Sequence, residues 1–272
     1  MQPDARRGKA ASGSAPPGPH RARLTRPFLV YVHFLADGGT ALQITSRRLI
    51  PVTAAVIVAI GISGAPARAD DRIPLGGGSG IVVNDDALCT LTTIGTDARG
   101  ELIGFTSAHC GGPGAVVAAE AAKARGTVGT MVAGNDSLDY AIIQFDKAKV
   151  APVANVGGFL INGIGPDPSF GQVACKQGRT TGNSCGVTWG PGQDPGTILM
   201  QVCGQPGDSG APVTVNDQLV GMIHGAFSDN LPVCITKYIP LHTPAVVQSI
   251  NADLADLQAK NRPGAGFVPV PA

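Results

Sequence analysis

Short apolar runs separated by turn-forming residues dominate the chain from about residue 70 onward. Gly, Pro, Asn and Asp interrupt these runs, and Asn216 with Asp217 is expected to form a tight turn between the last two. This pattern predicts an all-β structure of many short strands. The eight candidate strands are CTLTTIG from Cys89, ELIGFT from Glu101, TVGTMV from Thr127, YAIIQF from Tyr140, QVACK from Gln172, TILMQV from Thr197, APVTV from Ala211 and QLVGMI from Gln218.

Regular helix is predicted in only two places. The segment AAEAAKA near Ala118 is typical of a short helical turn. A longer C-terminal helix is predicted over residues 243–260, because Thr243 can cap it, Pro244 is preset for its first turn, and apolar residues follow three and four apart. Residues 261–272 are rich in Pro and Gly and are expected to be a flexible tail.

Residues 1–69 differ from the rest of the chain in composition. Arg47 and Arg48 precede the apolar run of residues 49–62, and the small residues Ala67 and Ala69 follow it. This order is typical of an export signal, and a run of 14 residues is shorter than the roughly 20 that a spanning helix needs. We therefore expect a signal peptide over 46–69, preceded over 1–45 by a segment that is disordered or lies upstream of the true start.

Charge and cysteine content agree with an exported protein. Residues 1–69 carry nine Lys and Arg against two acids, whereas residues 70–272 carry eleven against seventeen, so the latter part offers no electrostatic reason to bind nucleic acid. All six cysteines lie in that part, and an even count in an exported chain indicates disulfides. No Cys-x-x-Cys pair occurs, so neither a zinc site nor another cofactor is expected.

The segment CGQPGDSGAP, residues 203–212, carries the strongest chemical signal. Ser209 lies between glycines on a tight turn that can expose its hydroxyl, and the amides of Gly207 and Ser209 can converge on one point. Such a pair of donors forms an oxyanion hole, which stabilises the negative charge of an attacked carbonyl. By itself, however, the same turn could be purely structural.

Two other segments supply the partners that a nucleophilic serine needs. TSAHC places His109 after an apolar strand, and imidazole is the base best suited to neutral pH. NDSLDYAIIQF offers Asp139 directly before an apolar strand, where a buried carboxylate could orient that base. Asp136 is the alternative, but it sits in a GNDS turn where an exposed cap is the simpler interpretation.

Taken together, TSAHC, LDYA and GDSGAP resemble the chymotrypsin family, especially its secreted bacterial branch of streptogrisins and α-lytic protease. The order His, Asp, Ser and the disulfide-closed hairpin suggested by ACKQGRTTGNSCG belong to the same resemblance. It implies two six-stranded antiparallel Greek-key barrels followed by the C-terminal helix. The first barrel would cover residues 70–160 with His109 and Asp139, and the second would cover 161–242 with Ser209.

The resemblance also implies how the site is supported. Asp208 is expected to point inward, with Lys176 in place of the arginine that is common in the bacterial branch, so that no zymogen cleavage is needed. The implied disulfides are Cys89 to Cys110, Cys175 to Cys185 and Cys203 to Cys234.

Three positions depart from the family pattern. Ala211 replaces the second glycine of GDSGG, and one methyl group should be tolerated there. His224 occupies the place of a serine beside the triad aspartate, where it could bond to Asp139, disturb the charge balance, or play no role. Ala226 replaces a glycine of the pocket wall and is expected to narrow the slot.

The substrate pocket is expected near Val202, Gly225 and Ala226. Neither Gln201 nor Val202 offers a carboxylate, which disfavours cleavage after Arg or Lys and favours small or medium apolar residues.

The sequence therefore predicts a secreted serine endopeptidase of the extracellular space or cell envelope. It should act as a monomer on polypeptides through an acyl-enzyme on Ser209, without membrane contact after signal cleavage. The alternative is a catalytically silent binding module with the same fold. An esterase is disfavoured, because GDSGA does not match the GxSxG elbow.

Overall fold

The computed structural model of the chain describes residues 70–272. The predicted extension (1–45) and signal peptide (46–69) lie outside these residues. None of the helices within 70–272 combines the length and apolarity needed to cross a bilayer.

The first half of the described chain builds a curled antiparallel sheet. Eight strands lie in the order β18-β4-β5-β8-β7-β6-β2-β3, so the last strand of the chain pairs with this half. A short parallel pair, β1 with β9, and a small hairpin, β10 with β11, complete it. The strands are β1 (Ile73–Leu75), β2 (Gly80–Val83), β3 (Ala87–Thr90), β4 (Thr93–Thr96), β5 (Leu102–Thr106), β6 (Val116–Ala119), β7 (Thr127–Asn135), β8 (Tyr140–Phe145), β9 (Val150–Pro152), β10 (Asn155–Val156), β11 (Phe159–Leu160) and β18 (Val268–Pro269).

The second half is a closed six-stranded barrel with the order β12-β13-β14-β17-β16-β15. Its strands are β12 (Val173–Gly178), β13 (Gly182–Pro191), β14 (Thr197–Met200), β15 (Pro212–Val215), β16 (Gln218–Ala226) and β17 (Ala245–Ser249). Asn216 and Asp217 join β15 to β16 with φ of 50° and 62°, the left-handed pair that a two-residue hairpin requires. The predicted all-β, two-barrel architecture is confirmed, with the first half as a curled eight-stranded sheet.

Helical structure is sparse, as the sequence predicts. Two short 3-10 helices span Ala108–Cys110 and Glu120–Arg125. The second contains the last five residues of the AAEAAKA segment, whose first two residues belong to β6. The one α-helix among residues 70–272 is α1, Ile250–Lys260.

The prediction that the helix begins at Thr243 and Pro244 is wrong. Residues 245–249 form β17, which pairs with both β14 and β16 and thereby closes the barrel. Burial of this β-branched stretch between two strands outweighs the local helix signal. Ser249 is the true cap, and its hydroxyl oxygen accepts a hydrogen bond from the amide of Ala252 at 3.3 Å.

The C-terminal segment is not the flexible tail that its composition predicts. Val268 pairs with Thr96 of β4, and the Val270 amide donates to the Ile94 carbonyl at 3.0 Å. Phe267 is 8% exposed and meets Phe105 edge to face, with ring centroids 5.0 Å apart. A buried aromatic ring and paired backbone therefore outweigh the Pro and Gly content.

We expect Phe267→Ala to lower the free energy of unfolding by about 3 kcal/mol, because it removes a buried aromatic side chain and leaves a cavity. Chemical denaturation measures this loss. The matched control is Val268→Ala, whose side chain is 61% exposed and should change stability by less than about 0.5 kcal/mol. Equal stability of the two variants would show that the segment is not packed as described.

Candidate active site

The three predicted catalytic residues lie in one chain of hydrogen bonds. Ser209 Oγ is 2.7 Å from His109 Nε2, and His109 Nδ1 is 2.8 Å from Asp139 Oδ2. Ser209 is half-buried and the His109 ring is 46% exposed, so both are open to solvent at the surface of a cleft. The geometry allows a proton to pass from Ser209 to His109 while Asp139 orients the ring.

The backbone around Asp139 fixes its carboxylate against His109. Asp139 lies just before β8 with φ of 51°, a left-handed conformation that an aspartate tolerates better than most residues. Its carbonyl accepts from the Ala108 amide at 3.1 Å, and its Oδ1 accepts from the His109 amide at 2.9 Å. The turn before β8 and the 3-10 helix that carries His109 are thus tied together. Asp136 is exposed and is not part of this network.

His224 makes a second imidazole contact to the same carboxylate. Its Nδ1 is 2.6 Å from Asp139 Oδ2, the oxygen that His109 also contacts. Burial alone would raise the pKa of Asp139, but the hydrogen bonds from the two histidines outweigh it and hold that pKa well below its usual range. In return, the hydrogen bond to Asp139 raises the pKa of His224.

Two glycines shape the turn that presents Ser209. Gly207 and Gly210 have φ of 97° and 80°, a region that side chains rarely adopt. A Cβ at Gly210 would lie 2.4 Å from both the Thr106 hydroxyl and the Thr90 carbonyl. Within residues 70–272, the amides of Gly207 and Ser209 donate no hydrogen bond, so both are available to a ligand oxygen.

Threonines from the first half hold the turn that carries Ser209, residues 207–210, and the sequence pattern did not predict this role for them. The Thr90 amide donates to the Ser209 carbonyl at 2.9 Å, and the Thr90 hydroxyl donates to the Gly207 carbonyl at 2.9 Å. The Thr92 hydroxyl donates to the Gly210 carbonyl at 2.6 Å. The three buried threonines in CTLTTIG, of which Thr90 and Thr92 make these contacts, were the available signal, because buried hydroxyl groups need partners.

Asp208 points into the protein and is fully buried with Lys176. Its Oδ2 accepts from Lys176 Nζ at 2.9 Å and its Oδ1 from the amide of Thr180 at 2.9 Å. Burial alone would raise the pKa of Asp208. The positive charge of Lys176 and a hydrogen bond from Thr181 outweigh this effect, so the pKa lies below its usual value. This ion pair connects β12 to the turn that carries Ser209, as the resemblance implies.

The structure contains the three disulfides that the resemblance implies. Cys89–Cys110 joins the end of β3 to the 3-10 helix of His109. Cys175–Cys185 bridges β12 and β13, and Cys203–Cys234 links the start of the segment that carries Ser209 to the loop after β16. Ala211, the departure beside this segment, is fully buried, and its methyl group packs in the core of the second barrel.

A cavity of about 520 Å³ opens beside Ser209. Its lining contains no charged residue. This agrees with the sequence, in which neither Gln201 nor Val202 offers a carboxylate to the pocket. Val202, Gly225 and Ala226 all line it, whereas Gln201 is turned away and bonds to Trp189 instead. The lining consists of Val202, Gly204, Gln205, Pro206, Ser209, Ile223, Gly225, Ala226, Val233, Cys234, Thr243, Pro244 and Ala245.

We expect Lys176→Met to lower the free energy of unfolding by about 3–5 kcal/mol, because Asp208 would remain buried without its counterion. Denaturant titration measures the loss. Lys147→Met is the matched control, since Lys147 forms an exposed pair with Glu101 and should cost less than about 1 kcal/mol. Similar losses in the two variants would contradict the importance of the buried pair.

Comparison with known proteins places this geometry in context. No protein-family model matches the chain. The uncharacterized protein Rv1815 of Mycobacterium tuberculosis is 30% identical over 179 residues, which cover 61% of this chain and 79% of the relative. Among solved structures, Cellulomonas bogoriensis chymotrypsin is 26% identical with a TM-score of 0.54, over 74% of this chain and 100% of that one. Thermobifida fusca protease A is 19% identical with a TM-score of 0.57, over 73% and 100%.

The mycobacterial relative is matched over most of its own length, which establishes a common family. The solved proteases share the fold over their entire chains, and the expected resemblance is therefore confirmed. The chain thus shares a family with the M. tuberculosis protein, and it is itself a bacterial protein of the chymotrypsin-like serine protease family.

Proposed function

We propose that the protein is a serine endopeptidase in which Ser209 is the nucleophile, His109 the general base and Asp139 the orienting carboxylate. One observation carries this proposal: the continuous hydrogen bonds from Ser209 Oγ through His109 to Asp139. Ser209 Oγ attacks the scissile carbonyl carbon while its proton passes to His109 Nε2. His109 then protonates the leaving amine, and the acyl group stays on Ser209 until water, activated by the same base, releases it.

The amides of Gly207 and Ser209 are proposed as the oxyanion hole. Both belong to the turn that presents the nucleophile, and neither donates to another residue of the described chain. The negative charge that develops on the carbonyl oxygen would find two fixed donors there. Because their positions are set by the threonine contacts to this turn, little reorganisation is needed when the charge forms.

His224 is proposed as a positioning residue. It contacts Asp139 but not Ser209, so its effect on the reaction passes through the carboxylate. A donor on Oδ2 restricts the rotation of this group and keeps it directed at His109. Asp208 and Lys176 are likewise proposed to support the nucleophile turn without touching substrate.

We also propose that the enzyme is exported and acts as a monomer on polypeptides outside the cell or in its envelope. Three disulfides are expected only where the environment is oxidising. The basic and apolar pattern of residues 46–69 supplies the matching export signal.

We expect the purified protein to react with a fluorophosphonate probe at Ser209. Ser209→Ala and His109→Ala should each lose labelling, and peptidase activity should fall by about 10⁶-fold, because the triad acts as a unit. Gel fluorescence and peptide mapping identify the labelled residue. His242→Ala removes a histidine that does not contact the triad and should label normally.

Loss of labelling in the control as well would indicate a folding defect rather than catalysis, which circular dichroism would reveal. A folded wild-type protein that never labels would favour the alternative, a silent module that retains the fold for binding.

The cavity beside Ser209 favours an apolar residue before the cleaved bond. Its lining has no charge, and burying a charged side chain there without a partner would be costly. The expected narrowing by Ala226 is weaker than the sequence suggests, because Ala226 is exposed at the cavity rim. We therefore propose apolar side chains that include leucine and phenylalanine as well as smaller ones.

Peptide substrates that differ only in the residue before the cut test this preference. We expect kcat/KM for Leu or Phe to exceed that for Ala by about 10-fold or more, because each buried methylene group contributes about 1 kcal/mol. Lys and Glu substrates should be about 100-fold poorer than Leu. Efficient cleavage after Lys or Glu would contradict the assignment of this cavity as the pocket.

A further inference from the structure

His109, Asp139 and His224 also form a compact group of potential metal ligands. Both histidines direct Nδ1 at the same oxygen, Asp139 Oδ2, at 2.8 and 2.6 Å. Potential ligand atoms of all three residues lie within 4.8 Å of one another. Asp139 Oδ1 is held by the His109 amide, which leaves Oδ2 presented between the two rings.

Two imidazole nitrogens and one carboxylate oxygen are a typical ligand set for zinc with an open fourth position. At present a proton bridges each nitrogen to Oδ2, and one cation could replace both. Tetrahedral zinc with bonds of about 2.0–2.1 Å places its ligand atoms roughly 3.3 Å apart, so the two nitrogen–oxygen distances would open by about 0.5 Å and about 0.7 Å. Small rotations of the side chains can supply this movement.

Exposure makes the cluster accessible to an ion from solvent. The side chains of His109 and His224 are 46% and 40% exposed, whereas that of Asp139 is 8% exposed. The rings belong to different halves of the fold and lie nearly perpendicular, with centroids 6.1 Å apart. Space for the remaining ligand, a water or an anion, is therefore on the solvent side.

We propose that His109, Asp139 and His224 form a regulatory site for a divalent transition metal, with zinc as the best-suited ion, and that its binding inactivates Ser209. The inactivation rests on the proposed function, whereas the binding does not. When the metal takes the Nδ1 lone pair of His109, the single proton of the neutral ring, which Nδ1 donates to Asp139 in the metal-free protein, moves to Nε2. His109 Nε2 could then no longer accept the proton of Ser209, and the nucleophile would lose its base.

The same chemistry predicts which ions act. Mg²⁺ and Ca²⁺ prefer ligand sets made of oxygen, and this cluster offers only one carboxylate. They should leave the enzyme active at concentrations where zinc inhibits it. His224 is the residue that completes the set, because without it only one histidine meets Asp139.

The test measures metal binding and serine reactivity separately. Zinc binding is followed by competition with a chromophoric chelator, and Co²⁺ is added to the metal-free protein to record its visible absorption. Wild type should bind one equivalent, with an absorption typical of tetrahedral nitrogen and oxygen ligands. His224→Ser and His109→Ala should each weaken binding by at least about tenfold, and His242→Ala should not. Circular dichroism establishes that each variant is folded.

In parallel, fluorophosphonate labelling of wild type should fall as zinc saturates the site and return after addition of a chelator. Absence of stoichiometric binding, or equal affinity in wild type and His224→Ser, would overturn the metal site. Binding without any effect on labelling would overturn the regulatory role. A protein that binds zinc but never labels would refute the proposed peptidase and leave the metal site standing.

Discussion

The buried carboxylate of Asp139 is the constraint on which the site depends. It accepts the His109 amide, the His109 ring and the His224 ring, so three donors converge on one small group. Because His224 comes from the second half of the fold and Asp139 from the first, the bond between them crosses the cleft. A buried carboxylate without hydrogen-bond donors would destabilise the fold. The two halves are therefore stabilised in the arrangement that supplies donors to Asp139.

The turn that carries Ser209 is fixed from two sides by polar contacts rather than by packing alone. Thr90 and Thr92 hold its carbonyls from the first half. The buried pair of Asp208 and Lys176 anchors it within the second. The threonines bind the carbonyls on one side of this turn. The amides of the turn therefore point to the opposite side, where the proposed oxyanion would form. The preorganisation of the site is thus a property of the interface between the halves.

The sequence was sufficient for the fold class and for the residues that meet at the site. His109, Asp139 and Ser209 lie in motifs whose spacing and neighbours are informative, and the resemblance placed Lys176 beside Asp208. Prediction from the sequence failed where pairing between distant segments determines the secondary structure. The local pattern of residues 245–249 favours a helix, but these residues form a strand because they pair with both β14 and β16. No local pattern could show that Thr90 reaches Gly207, which is 117 positions away.

The C-terminal strand has a further consequence for solubility. Without β18, strand β4 would form one margin of the curled sheet and would present unpaired backbone groups to other molecules. The chain covers that margin with its own end, and β18 is only two residues long and includes Pro269, which has no amide hydrogen to donate. A strand of another molecule therefore has few free backbone groups to pair with at this edge, and β18 protects the sheet from edge-to-edge aggregation.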